Sequence, residues 1–184
     1  MDDLAAPPEA MSLRALLRED FERYDRRVSL PGLHAIVVHR IGRRTLHARS
    51  ATGRVVHGLA KLASVVVRNV YGIEVGFSVD VGRRVMFAHQ GMIVVNASSR
   101  IGNDCLIRHG VTLGARNDRH PYDAPQLRDR VEVGVNAVLV GRIVIGEDAR
   151  IGPATMVFCD VPAGARVLAP AATVRVPEHG ATQI

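Results

Sequence analysis

The chain has 184 residues, enough for one sizeable domain or one domain with a smaller appendage. Apolar residues make up 47% of it, which excludes intrinsic disorder. Aromatic residues reach only 4% and tryptophan is absent, so the core must be built from Val, Ile, Leu and Ala. The net charge of +6 comes from arginines in every segment, without the basic block or interleaved aromatics of a nucleic-acid surface. No nucleic-acid partner is expected, and a basic surface suits an anionic substrate. Cys105 and Cys159 have no metal-binding spacing and fit a reducing compartment. With no signal-like start and no apolar run near 18 residues, the expectation is a cytoplasmic protein without a membrane span.

Residues 1–10 (MDDLAAPPEA) are rich in Pro and Ala and read as a flexible tail. Residues 11–71 carry helical periodicity. Ser12 is placed to cap a first helix through Leu13, Leu16, Leu17 and Phe21. Ser29-Leu30-Pro31-Gly32 marks a break and a new start, followed by Leu33, Ile36, Val37 and Ile41. A third helix carries Val55, Val56, Leu59, Leu62, Val66 and Val70.

After Tyr71-Gly72 the period becomes six. Val75, Val81, Phe87 and Ile93 form one series; Val95, Ile101, Ile107 and Leu113 resume it two residues later. Val133, Leu139, Ile145, Ile151 and Val157 form the third series. Gly follows the apolar residue at positions 76, 82, 102, 114, 134, 146 and 152, and a small or apolar residue stands four places after it. Neither a helix nor a hairpin sheet has reason to repeat every six residues. A prism of short strands does: each hexad is one face with an inward aliphatic side chain, closed by a tight turn that Gly tolerates. Three hexads make one triangular coil, and stacked coils bury a continuous column. The predicted fold is mainly β, a parallel β-helix of hexapeptide repeats over residues 72–162 behind an N-terminal α-helical region. A C-terminal segment follows at 163–184.

Two irregularities interrupt the repeat. Polar, Pro-containing residues at about 115–130 read as a loop extruded from the coil, a usual place for function on a rigid scaffold. The second is a two-residue slip between Ile93 and Val95. Counted through it, Phe87 and Ile107 share a face on adjacent coils. His89 and His109, each two residues on, should then be neighbours about one strand spacing apart, ~4.8 Å. With His120 of the loop they border one candidate groove.

The segment from Val81 to Pro162 resembles the serine O-acetyltransferases and related hexapeptide acyltransferases. The matching residues are His89 with Ile93-Val94-Val95, Val111-Thr112-Leu113-Gly114, Asp118-Arg119-His120-Pro121, Ile151-Gly152-Pro153 and Asp160-Val161-Pro162. Leu30-Pro31-Gly32-Leu33-His34-Ala35 and Arg40-Ile41-Gly42 are similar to the family's helical region. The resemblance implies a left-handed coil, a homotrimer or dimer of trimers with sites in clefts between subunits, and acetyl-CoA as acyl donor without a metal. It implies His89 as general base toward the acceptor hydroxyl and His120 in the acceptor pocket. His109, Asp118 and Arg119 are further acceptor-side candidates. Acetyl-CoA would lie along Gly114, Ala115, Arg116 and Ala137 and against the C-terminal segment at Pro170.

Departures from the family bear on the acceptor. The aspartate that precedes the family's catalytic histidine is Ala88 here, and Asp20 or Asp25 could match a second acceptor-binding aspartate. The Gly-Gly-Thr-Gly turn is Gly114-Ala115-Arg116-Asn117, and of Gly-Val-Pro-Ala only Pro170-Ala171 is kept. Losing a carboxylate that meets an ammonium group costs a few kcal/mol in a desolvated site, of order ~1–3 for the unpaired partner. On this ground a sugar, polysaccharide or other non-serine alcohol is the expected acceptor. Serine O-acetylation is the alternative. From other classes stand a non-catalytic structural or regulatory relative, and a carbonic-anhydrase-like enzyme with zinc on three histidines.

Overall fold

The computed structural model describes residues 8–174; residues 1–7 of the expected tail and 175–184 of the C-terminal segment lie outside the described residues. Three helices come first: α1 (Leu13–Arg23), α2 (Pro31–Thr45) and α3 (Ala51–Val66), the last widening into a π turn over Val67–Tyr71. Ser12 and Ser50 cap α1 and α3, their hydroxyls accepting from the N–H groups of Ala15 and Gly53. Pro31 opens α2, where its missing N–H costs nothing. Leu16, Leu33 and Ile36 are buried on the inner side. On α3 the periodic apolar residues turn the other way: Val55, Leu59, Leu62, Val66 and Val70 are all exposed, and the buried side carries Ala60 and Val67. The stripe has helical spacing, but it faces away from this chain's own core.

The remaining strands form a left-handed parallel β-helix. Its first coil is β1 (Ile73–Val75), β2 (Asp80–Val81) and β3 (Met86–Ala88); the second is β4 (Ile93–Val95), β5 (Arg100–Ile101) and β6 (Leu106–Arg108). The third is β7 (Thr112–Gly114), β8 (Gln126–Leu127) and β9 (Glu132–Val133), and the fourth β10 (Val138–Val140), β11 (Val144–Ile145) and β12 (Arg150–Ile151). A fifth carries β13 (Met156–Val157), a single bridge from Val161 to Ile145, and β14 (Arg166–Val167). Every pairing is parallel. The three faces stack as β1-β4-β7-β10-β13, β2-β5-β8-β11 and β3-β6-β9-β12-β14. Ile107, Leu113, Val133, Leu139 and Ile145 point inward and are fully buried, as hexad periodicity requires. The chain leaves the faces after Gly114 and returns at Gln126, where Leu127 pairs with Ile101.

The repeat glycines have a different reason from the expected turn dihedrals. Positive φ falls two places later, on Arg84, Asp104, Arg130 and Asp148 at one corner and on Asn136 and Ala154 at another. Gly82, Gly102, Gly134, Gly146 and Gly152 are where coils touch, though Gly76 and Gly114 are not: a Cβ on Gly82 would lie 2.5 Å from the carbonyl carbon of Gly102, and one on Gly134 2.7 Å from that of Gly152. At the first corner the left-handed residues alternate in charge, with Arg84 bonded to Asp104 and Arg130 to Asp148.

The slip also sits elsewhere. Val75 pairs with Val95, twenty residues on, whereas Val95 pairs with Leu113, eighteen on. Ala88 pairs with Arg108, keeping the longer count. The N–H of Gly110 bonds to the carbonyl of Gly91, as that of Asn136 bonds to His109, so Gly91 already holds the shorter count. The two extra residues are therefore His89 and Gln90, rather than residues between Ile93 and Val95. Ile93 and Val95 are both buried because alternate residues of β4 point inward, with Val94 facing out between them.

The first coil has a free lower edge, and the helices cover it. Arg40 of α2 is buried; its guanidinium donates to the carbonyls of Val81 and Gly82, each at 2.6 Å, and to both carboxylate oxygens of Asp20 at 2.9 and 3.3 Å. Arg43 donates to the Ser78 carbonyl at 2.9 Å and Arg23 to that of Arg84 at 3.3 Å. The N–H of Phe87 donates to the buried Tyr24 hydroxyl at 2.7 Å. Burial pushes the Asp20 carboxyl above its ordinary value, opposed by the two bonds from Arg40. Burial, and then the charges of Arg40 and Arg43, push His39 down to about 3.

Two predictions follow from this interface. Arg40→Leu leaves the buried Asp20 without its counter-charge and two coil carbonyls without their guanidinium donor, so unfolding free energy from denaturant titration should fall by about 3–5 kcal/mol. His39 stays neutral in the folded chain while the unfolded chain takes up its proton below the ordinary value of 6.5. Stability should therefore fall as pH drops from about 6.5 toward 3, by up to about 1.4 kcal/mol per pH unit from this residue. His39→Gln should flatten that slope in thermal melts.

Candidate active site

His89 stands on the two-residue insertion, so no residue of the coil above stacks over it in register. Ala88 before it is 8% exposed, whereas His89 itself projects into solvent. The backbone there is unusual, with φ +66° at His89, +109° at Gly91 and +51° at Met92. Such left-handed non-glycine residues persist only where the surroundings determine them, at a cost of order ~1–3 kcal/mol each. Met92 is 72% exposed beside them.

On the next coil His109 meets His89 edge to face, ring centroids 5.6 Å apart and planes at 82°. The juxtaposition expected from spacing is present, although His109 aligns with Gly91 rather than with His89. The Nδ1 atom of His109 is buried and without a hydrogen-bond partner. Gly110 follows with φ +73°, and a Cβ there would lie 1.8 Å from Oδ1 of Asn136, so no side chain fits this corner.

His120 lies in the exposed loop after β7. Asn117 Oδ1 organises it, accepting from the N–H groups of Arg119 at 3.0 Å and His120 at 3.1 Å and lying 3.1 Å from His120 Nδ1. Asp118 and Arg119 are exposed on the same turn. Within one chain this loop and the His89–His109 corner stand at opposite ends of the β4 and β7 strands. No hydrogen bond or ring contact joins His120 to either histidine among the described residues. Nor does any group of three His, Cys, Asp or Glu among the described residues stand within reach of one metal ion.

The other predicted contacts divide. The Gly114 carbonyl accepts from the Gly141 N–H at 3.1 Å, and Arg116 is exposed above Gly141. Ala137 is fully buried and its carbonyl accepts from the Thr112 N–H at 3.1 Å, so it supports the groove from inside. Pro170 is exposed. A cavity of about 480 Å³ between α3 and the β1-β4-β7 face has Arg68, Asn96 and Gly114 on its wall, and neither His89 nor His109 lines it. Asp20 is withdrawn from any acceptor role by burial against Arg40. Tyr24 carries no local signal in the sequence, and the motifs that include Gly32 and Asn117 do not reveal the contacts by which these residues hold the histidine-bearing segments.

No family profile matches the chain. Among curated proteins it is 33% identical over 156 residues to serine acetyltransferase of Helicobacter pylori, covering 83% of this chain and 88% of that one. The chain belongs to the serine acetyltransferase family. It is an acyltransferase. Its match to the Mycobacterium tuberculosis serine acetyltransferase is 35% over 138 residues, 75% of this chain and 58% of the relative. Among solved structures, the Neisseria gonorrhoeae serine acetyltransferase in complex with serine aligns at TM-score 0.69 and 30% identity, over 88% of this chain and 68% of that one. An Entamoeba histolytica serine acetyltransferase in complex with cysteine aligns at 0.75 with 20% identity, a likeness of fold, over 91% of this chain and 62% of that one.

These matches overturn the expected sugar, polysaccharide or other non-serine acceptor. That expectation rested on a few departures, chiefly Ala88, whereas the relatives match this chain over most of its length and are named for serine. A single missing carboxylate removes one contact; it does not specify another acceptor. No described helix is long and apolar enough to cross a membrane.

Proposed function

We propose that this chain is a serine O-acetyltransferase that takes its acetyl group from acetyl-CoA. The observation that carries the reading is an exposed histidine, on a two-residue insertion beside His109, in a chain 33% identical to a serine acetyltransferase over most of its length. His89 accepts the proton of the serine hydroxyl as the oxygen attacks the thioester carbonyl. The C–O bond forms, the tetrahedral adduct collapses, and the C–S bond breaks. The departing thiolate takes the proton back from the imidazolium, leaving O-acetylserine, CoA and neutral His89. Arg116, exposed beside Gly114 and Ala115, offers a cation to the CoA phosphates.

The site is shared between copies in this reading. His89 and His109 stand at one corner of the prism and His120, Asp118 and Arg119 at another, so one chain does not close a pocket around the acceptor. Packing of identical chains brings a partner's loop beside the His89 corner, giving a homotrimer or a dimer of such trimers. The exposed aliphatic stripe of α3 supports assembly through the helices as well.

Thiol release from acetyl-CoA tests the reaction: it should depend on L-serine, and His89→Ala should lower kcat by about 10²–10⁴-fold. Absence of serine-dependent release, or wild-type turnover by His89→Ala, rejects the reading. The shared site makes a separate prediction. His89→Ala and His120→Ala, each impaired alone, should regain activity when their subunits are dissociated, mixed and reassembled. Failure to regain any activity in mass-verified mixed oligomers contradicts it.

A further inference from the structure

The insertion that carries His89 is held at both ends, and the helical region supplies one of the holds. At its far end the Gly91 carbonyl accepts from Gly110 N–H at 3.0 Å, and the Ile93 N–H donates to the Gly72 carbonyl at 2.9 Å. At its near end β3 is the edge strand of its face, with β6 on one side and no strand on the other. Met86 N–H is satisfied by the coil, donating to Cys105 at 2.9 Å, but Phe87 N–H points off the edge. It finds Tyr24 Oη at 2.7 Å, a hydroxyl on a ring only 1% exposed, and burial keeps that phenol neutral by raising its pKa. Gly32 closes the other side of the same residue: a Cβ there would lie 2.0 Å from the Phe87 carbonyl oxygen and 2.9 Å from Tyr24 Oη.

We infer that Tyr24, seated by Gly32, is a positioning residue for His89. A single residue, Ala88, separates the clamped Phe87 from the histidine, and it is still held in register by Arg108. Beyond that point the backbone turns left-handed with no ladder bond of its own, so the direction in which His89 leaves the coil is set by the clamp. The inference rests on His89 as the proton acceptor of the proposed reaction. It adds that the first helix, remote in sequence, aims it.

Tyr24→Phe keeps the ring and removes only the hydroxyl. With the folded fraction verified by circular dichroism at the assay temperature, kcat should fall about 10- to 100-fold, as for a misplaced catalytic group, while KM for acetyl-CoA stays within about twofold. The imidazole resonances of His89, assigned through His89→Gln, should move, and those of His120 should not. Arg43→Ala, which uncaps the same coil edge at Ser78 instead, should do neither. A folded Tyr24→Phe protein with kcat within about threefold of wild type and unmoved His89 resonances overturns the inference, as does a loss that merely tracks the unfolded fraction. Wild-type turnover by His89→Gln would instead count against His89 as the base, and the resonances alone would then decide whether Tyr24 orients the ring.

Discussion

The buried contact of Arg40 with Asp20 and the first coil is the interaction on which the rest depends. A solenoid satisfies its backbone by pairing each strand with the one above, which leaves the bottom rung with polar groups that neither water nor a neighbour reaches once it is covered. Covering that rung with the helical region buries Leu33 and Ile36 in one core with Ile73 and Val81, and side chains from α1 and α2 meet the exposed edge. Arg40 answers two carbonyls and is itself neutralised by Asp20. Tyr24 answers an N–H. The column above can then be built almost wholly from apolar side chains, since α1, α2 and the turn after α1 answer the edge groups of Val81, Gly82 and Phe87.

How much of this is legible in the sequence depends on whether the governing contacts are periodic. Leu113, Leu139 and Ile145 occupy equivalent slots in successive coils, so their physics is repeated and the period is visible. The inserted pair is masked by the same regularity: Phe87 to Ile93 is six residues, and a further apolar residue at Val95 looks like the slip. Only the pairing of Ala88 with Arg108 and the bond from Gly110 N–H to the Gly91 carbonyl put the extra residues at the histidine. Strand alternation explains the disguise, because Ile93 and Val95 both point inward with Val94 between them.

The capping contacts lie beyond such reading. Arg40 meets Val81, and Tyr24 meets Phe87, across separations with no repeat to announce them. In sequence each is one polar residue on an amphipathic helix, indistinguishable from those that face water. The stripe of α3 fails in the complementary way. Helical spacing says that Val55, Leu59, Leu62 and Val66 share a face, but spacing cannot say whether that face meets this chain's core or another surface. The repeat glycines show a third kind of ambiguity, since left-handed backbone and close coil contact both favour Gly, and at Gly82, Gly102, Gly134, Gly146 and Gly152 the second is the cause.

The acceptor question turns on the same distinction between one contact and a whole surface. Ala88 is the last residue of an edge strand whose neighbour in register is Arg108, and its small side chain is already largely covered. A serine ammonium at this corner therefore finds no carboxylate from β3. Asp20 cannot replace it, because it is held beneath the coil by Arg40. Asp25 and Asp118 remain exposed, on the turn after α1 and on the loop of His120. An exposed carboxylate attracts an ammonium group less strongly than a desolvated one, since water screens the pair. In the proposed reaction, recognition of serine depends more on how firmly a partner copy's loop and the His89 corner close around the acceptor than on any one charge. That places weight on the elements that fix the two segments, Asn117 for the loop and Tyr24 with Gly32 for the histidine, and ties acceptor binding to the same helical cap that makes the coil stable.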